Sequence, residues 1–155
     1  MSTRQMYFVL IAAGVLLAGL ELRLAVRKSR WKELDAQVTS LYQQGKYAEA
    51  IPAARAALRV AEETFGPDHP KVATDLNNLA MLYRAQGKYA QAEPLYKRSL
   101  AIDERALGPD HPKVAYSLAS YAVLLKLTNR KAEGDKLEAR AKAIQAKQAQ
   151  ENRPN

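Results

Sequence analysis

The sequence predicts an all-α fold, a short solenoid of about three helix pairs preceded by one transmembrane helix. The main observation is an internal repeat: residues 45–73 recur at residues 87–115, with sixteen of 29 positions identical at a spacing of 42 residues. Apolar residues inside each copy are spaced by three and four, as in helices. A fixed period of this size is typical of a repeat array. Residues 6–20 add a separate apolar stretch without a charged side chain.

The length and composition of the chain are sufficient for one small domain, and the distribution of charge limits the kinds of partner expected. The chain has 155 residues, a formal net charge of +8 and no cysteine, which excludes disulfides and thiolate metal sites. Residues 1–32 hold six basic side chains and one acid, residues 33–125 hold ten and eleven, and residues 126–155 hold eight and four. The excess therefore flanks a nearly neutral centre, so no nucleic-acid partner is expected.

The first predicted domain, residues 1–30, is a membrane anchor with a basic collar. A helix over residues 6–26 would be about 31 Å long, which matches a bilayer core of roughly 30 Å. A retained single-pass anchor fits best, because a cleaved signal peptide would need a small-x-small site that the sequence lacks. The positive-inside rule places the repeats in the cytoplasm. The basic residues expected to flank the membrane are Arg23, Arg27, Lys28 and Arg30.

The second predicted domain spans residues 31–146 and begins with a unit at about residues 31–69. Its first helix covers residues 31–44, with Leu34, Val38 and Leu41 at core spacing. Alternatively this helix continues from the membrane helix as a stalk, because no proline or glycine interrupts residues 20–44.

The second unit, at about residues 70–111, carries the clearest pattern. We expect one helix at about 70–86, closed by Gly87, and a second at about 90–107. Small alanines at positions 50 and 92 would let paired helices approach closely. The predicted core positions of the first helix are Val72, Leu76, Leu79, Ala80, Leu82 and Tyr83.

The third unit, at about residues 112–146, has a first helix at about 112–127. Asn129 stands where the earlier units have glycine, and asparagine also adopts the left-handed conformation. The second helix starts near residue 131, with Leu137, Ala141 and Ile144 on one face. We interpret residues 147–155 as a polar tail that caps the array.

These motifs resemble the tetratricopeptide repeat (TPR), in the 42-residue version found in kinesin light chains and many bacterial proteins. The resemblance rests on LNNLAMLY at residues 76–83 and GPDHPKVA at residues 108–115, and on the tyrosine and alanine positions after each glycine. It covers residues 31–146. It implies a right-handed superhelix whose first helices line a concave groove that holds a peptide or partner helix, and it suggests a bacterial inner-membrane protein with the periplasmic side as the alternative.

The resemblance also assigns candidate groove residues. Their positions do not follow the spacing of the core residues, and several of them are polar or aromatic. Asn77 is the strongest candidate, because the family uses an asparagine there to bond an extended backbone; the alternative is that it only faces water. The apolar character of Ala119 and Val123 indicates a helix or hydrophobic peptide as partner. The predicted set is Asp35, Thr39, Tyr42, Asn77, Met81, Arg84, Tyr116 and Lys126, and Lys32, Thr74, Ala119 and Val123 occupy the remaining groove positions.

No catalytic, cofactor or metal site is predicted. His69 and His111 occupy equivalent positions before a proline, and each is expected to cap a helix rather than bind a metal. The acidic residues Glu62, Glu63, Asp103 and Glu104 are expected to be solvated charges on outer helix faces. Enzyme activity is therefore not expected.

Three functions remain open from the sequence. The first is a membrane-anchored scaffold that binds a partner protein, for example as an accessory subunit of a membrane complex. The second is a structural subunit that self-assembles, since repeat arrays are able to stack end to end. The third is a secreted or periplasmic adaptor made with a cleaved signal peptide.

Overall fold

A computed structural model describes residues 3–151, and this part of the chain contains six helices and no strand. Side chains of residues 9–11, like those of residues 3 and 4, are outside the description. The all-α prediction is confirmed. The helices are α1 (Thr3–Gln43), α2 (Tyr47–Phe65), α3 (Pro70–Ala85), α4 (Tyr89–Leu107), α5 (Pro112–Leu127) and α6 (Lys131–Glu151).

The helices form three successive pairs, and each helix packs mainly on the next one along the chain. The pairs are α1 with α2, α3 with α4, and α5 with α6. Helices α3 and α5 also touch, although α4 lies between them in the chain, so the first helices of neighbouring pairs lie side by side. This arrangement is a short solenoid with one row of first helices and one row of second helices.

The core continues from one pair to the next rather than closing within a pair. Leu79, Ala80 and Tyr83 of α3 share one cluster with Tyr96 of α4 and Tyr121 of α5. Ala50 and Ala92 are completely buried, so the helices approach closely at these positions. All six core residues predicted on α3 are buried: Val72, Leu76, Leu79, Ala80, Leu82 and Tyr83.

The connections between helices repeat as the sequence does. Gly45 and Gly87 have φ +71° just after α1 and α3, and Asn129 takes the same left-handed conformation with φ 61°. Before α3 and α5, the Nδ1 atoms of His69 and His111 accept hydrogen bonds from the amides two residues on. The two histidines are therefore helix caps, as predicted.

Helix α1 runs without interruption from the apolar segment into the repeats, so one continuous helix contains both that segment and the predicted first helix of the first pair. Val38 is buried against the repeats, whereas Leu34 and Leu41 are partly buried. The window between Gln5 and Gln43 that is apolar enough to cross a membrane has none of its residues buried. The length and composition of this part of α1 would allow it to cross a membrane. N-terminal signal sequences meet the same two criteria.

Helix α6 extends to Glu151, so residues 147–151 of the predicted tail are helical and residues 152–155 lie outside the described part. Lys147 Nζ is 2.5 Å from Asp110 Oδ2, and Gln148 Nε2 donates to the Asp110 carbonyl at 3.2 Å. The loop before α5 thus holds the start of this segment, which explains why the helix persists beyond its last buried residue, Ile144.

A buried contact joins α1 to α3 at the first interface between repeats. Trp31 Nε1 donates to Asp75 Oδ2 at 2.7 Å, and the ring of Trp31 meets that of Phe65 edge-on. Burial raises the pKa of Asp75 to about 7; the bond from Trp31 opposes this effect, and the nearby Asp35 carboxylate adds to it. Helix α1 is thereby fixed at Trp31 to the second pair, through a carboxylate that is costly to ionise.

Replacing Leu76, which is completely buried between the first and second pairs, tests whether the interfaces hold the array together. Leu76→Ala is expected to lower the free energy of unfolding by about 2–5 kcal/mol, because it removes apolar contacts and leaves a cavity. The matched control is Leu127→Ala, since Leu127 is 52% exposed on α5. Urea unfolding of the full chain in mild detergent measures both; equal losses would contradict a continuous core.

Asp75→Asn tests the buried carboxylate. The unfolded Asp75 ionises near pH 4, whereas the folded one ionises near pH 7, so this group's contribution to stability falls as pH rises between these values. The asparagine still accepts from Trp31 but cannot ionise. The variant should therefore gain stability over the natural chain between pH 5 and 8, by a few kcal/mol, and the gain should level off above pH 8.

Asp68→Asn is the control for this pH profile, because Asp68 is an exposed carboxylate paired with Arg105. It should not show the gain expected of Asp75→Asn, because the Asp68 side chain is exposed. The same profile for Asp75→Asn and the natural chain would mean that Asp75 is already ionised at pH 5.

Candidate functional site

The concave side of the solenoid contains a cavity of about 190 Å³ where α1, α3 and α5 meet. Four of the predicted groove residues, Thr39, Tyr42, Met81 and Tyr116, lie together here. The phenol of Tyr116 is 3.5 Å from the sulfur of Met81, which links α5 to α3 across the groove. These residues are brought together because each occupies the same face of the first helix in its pair.

An apolar stripe extends this groove along α5. Tyr116 is 54% exposed, Val123 45% and Leu127 52%. Spacings of seven and four residues place these three side chains on one helical face. Apart from α1, they are the only large hydrophobic side chains exposed on the described residues. Isolated exposed apolar residues are ordinary, whereas an aligned set next to a cavity is typical of a binding surface.

Asn77 does not face water, because its side chain is only 2% exposed. Its Nδ2 lies 3.5 Å from the sulfur of Met81, while its Oδ1 has no hydrogen-bond partner among the described residues. The alternative that Asn77 is merely solvated is therefore wrong. Its amide oxygen is a buried acceptor below the groove.

The charged residues predicted for the groove are placed in different ways. Arg84 donates to the Ser120 carbonyl on α5 at 3.4 Å, so it bridges two first helices. Lys126 pairs instead with Asp135, at 3.0 Å, and Glu138 on α6, and its charge is neutralised inside its own pair. Asp35 is partly buried near Asp75, and burial raises its pKa. Lys32 and Thr74 are exposed.

The predicted membrane-flanking residues Arg23, Arg27, Lys28 and Arg30 are all exposed on α1. They follow an exposed apolar surface that includes Leu16, Leu17 and Leu20. The cations therefore lie at one end of the apolar segment and on the side of the repeats. Within residues 3–151, no cluster of three or more potential ligands could hold a metal ion.

The prediction that Asp103 is a solvated charge is wrong. Asp103 is 3% exposed, and its Oδ2 accepts from Ser117 Oγ at 2.8 Å. The signal was present in the repeat alignment, because position 103 corresponds to Ala61 of the preceding unit, a small residue at a buried site. Burial raises the pKa of Asp103, and the bond from Ser117 opposes that shift.

Comparison with protein families identifies the repeats. The sequence model described as tetratricopeptide repeat matches residues 37–105 and, in a second register, residues 76–147. These matches span more than half of the chain and overlap in the second helix pair. A comparison with curated proteins finds no match.

Solved structures with the same fold include kinesin-light-chain-like repeats. Nearly identical TPR-like repeats of a Podosopora anserina protein described as a kinesin light chain superpose with a TM-score of 0.71 at 25% identity, over 81% of this chain and 60% of that one. A point variant of the same repeats gives 0.70 at 25% identity, over 81% and 59%. BtubC (BKLC) from P. vanneervenii gives 0.54 at 19% identity, over 81% and 66%, a likeness of fold alone.

The chain spans about three fifths of the length of the first two of these structures. The match to the family's sequence model, the solenoid of helix pairs and these superpositions agree. This chain belongs to the tetratricopeptide repeat family.

Proposed function

We propose that this protein is a membrane-anchored scaffold, without catalytic activity of its own, that holds a partner polypeptide in its concave groove. Tetratricopeptide repeat proteins bind protein partners, which supports the general role. The observation that carries the specific proposal is the groove itself, in which Tyr42, Met81 and Tyr116 surround a cavity of about 190 Å³ beside exposed apolar residues of α5.

The partner segment that fits this groove has an apolar face. Aromatic and methionine side chains are typical of adaptable protein interfaces. Val123 and Leu127 extend the apolar contact by about three further turns of α5, a length suited to an amphipathic helix or a short hydrophobic peptide. We therefore propose that the partner contributes such a segment and that polar groups around the rim, such as Thr39, set its register.

The anchor in this proposal is residues 6–26, in the first half of α1. Its described leucine, valine and aromatic side chains are exposed, and hydrocarbon would cover them. The basic collar then lies at the membrane surface, where anionic lipids attract it. The positive-inside rule assigns the repeats to the cytoplasmic side, and residues 31–146 form the binding domain.

Deleting residues 1–30 tests the anchor. The full chain should stay in the membrane pellet after alkaline carbonate extraction, and the chain of residues 31–155 should move to the supernatant. Pelleting of the truncated chain, or extraction of the full chain, would contradict the anchor. Intact-mass spectrometry of the membrane form distinguishes cleavage, since a retained segment gives the full 17.2 kDa.

Tyr116→Ala and Met81→Ala test the groove. Each should reduce co-purification of the bound partner from native membranes in mild detergent by about tenfold, because central aromatic and apolar contacts carry most binding energy at interfaces. Arg59→Ala, on the exposed face of α2, is the control and should retain the partner. Equal recovery with all three variants, each verified as folded by circular dichroism, would place the binding surface elsewhere.

A further inference from the structure

A second cavity, of about 260 Å³, lies between the second and third helix pairs. It is bounded by α3, by α5 and by Asp103, which reaches it from α4. Tyr116 contributes to this cavity and to the groove cavity, so the two are neighbours. A group of a polypeptide lying in the groove is therefore able to enter it.

Two buried oxygen atoms belong to the side chains that line this cavity and have no donor. Asn77 is 2% exposed and Asp103 3% exposed, and the Oδ1 atom of each lacks a hydrogen-bond partner among the described residues. The second polar atom of each of these two side chains has a partner: Asp103 Oδ2 accepts a hydrogen bond from Ser117, and Asn77 Nδ2 lies against the Met81 sulfur. An unsatisfied buried acceptor is destabilising, so a donor that reaches both atoms binds favourably.

The first interface between repeats shows how this position is filled when the chain supplies the donor itself. There Trp31 donates to the buried carboxylate of Asp75 at 2.7 Å. At a distance of 42 residues, Trp31 corresponds to Ala73 and Asp75 to Ser117. At the second interface the carboxylate comes from Asp103, and an alanine takes the place of the tryptophan. Ser117 donates to one oxygen of this carboxylate, but within the described residues no side chain donates to its other oxygen, Oδ1.

The chemistry of the two acceptors selects the ligand. One is a carboxylate and the other an amide oxygen, and a cationic N–H donor satisfies both while neutralising the charge. Burial raises the pKa of Asp103, and the charges of Lys113 and His111 oppose that shift without a hydrogen bond to Asp103. Lys113 also lines the cavity, and no described contact joins its ammonium to either unpartnered oxygen. The volume exceeds that of one water, roughly 30 Å³, several-fold, so an aliphatic chain with a terminal ammonium fits.

We propose that the cavity bounded by Asn77, Asp103 and Ala73 is a subsite for a cationic side chain, an ammonium or guanidinium group, of the polypeptide bound in the groove. The role of this subsite in partner recognition rests on the proposed function of the groove. Its affinity for a cation depends on the cavity alone. A basic residue next to an apolar segment is the recognition pattern that follows.

Titration with n-butylammonium tests the subsite without the partner. The full chain, ¹³C- and ¹⁵N-labelled, is held in an uncharged maltoside detergent, and the side-chain resonances of Asn77 and Asp103 are followed. Saturable shifts at both residues are expected with a millimolar Kd, because so small a ligand makes few contacts. 1-Pentanol and pentanoate, which are of similar size but carry no cationic group, should produce shifts at least tenfold weaker.

Two variants and one control make the titration decisive. Asp103→Asn should weaken n-butylammonium at least tenfold, and Ala73→Leu should do the same by filling the cavity while Asp103 remains. Asp68→Asn, an exposed carboxylate, should have no effect. Equal binding of 1-pentanol, the absence of shifts at Asn77 and Asp103, or shifts that survive Ala73→Leu would overturn the subsite.

The outcome separates the subsite from the groove. If n-butylammonium binds but Tyr116→Ala and Met81→Ala leave co-purification of the partner unchanged, the subsite is supported and the groove is not the partner site. Loss of the partner in those groove variants without any cation binding would do the reverse.

Discussion

Contact between neighbouring helix pairs is the constraint on which the rest of this structure depends. No pair buries its apolar residues alone: Tyr96 and Tyr121, from different pairs, stack with ring centres 6.0 Å apart, and Leu76 of α3 is buried together with residues of α2 and α4. Repeat proteins derive much of their stability from such interfaces. The same stacking brings Tyr42, Met81 and Tyr116 to one side, so the groove is a direct consequence of how the core is closed.

The two interfaces between repeats use the same backbone geometry with different chemistry. At the first interface, Trp31 of α1 donates a hydrogen bond to the carboxylate of Asp75 on α3, which connects α1 to the second helix pair. At the second, the carboxylate lies on α4, bonds to Ser117 and faces a cavity. Two repeats that share sixteen of 29 positions are therefore followed by different interfaces: side chains of the chain fill the first, and the second contains the cavity that we propose binds a ligand.

Much of the fold was predictable because the repeat carries it. The period, the glycines and the His-Pro pairs define where the helices of the second and third pairs begin and end, and the apolar spacing identifies the core of α3. The burial of Asp103 was missed because a charged residue at an exposed-looking helical position gives no local signal; only its alignment with Ala61 does. The pairing of Lys126 depends on Asp135 and Glu138 of another helix, which spacing along one helix does not reveal.

The most direct measurement of the central claim, that a partner polypeptide lies in the concave groove, is photo-crosslinking in native membranes. A photoreactive phenylalanine analogue is placed at position 116 in the groove or at position 59 on the exposed face of α2. The account predicts a crosslinked polypeptide from position 116 and none from position 59. Crosslinking of the same polypeptide from position 59, with none from position 116, would contradict it.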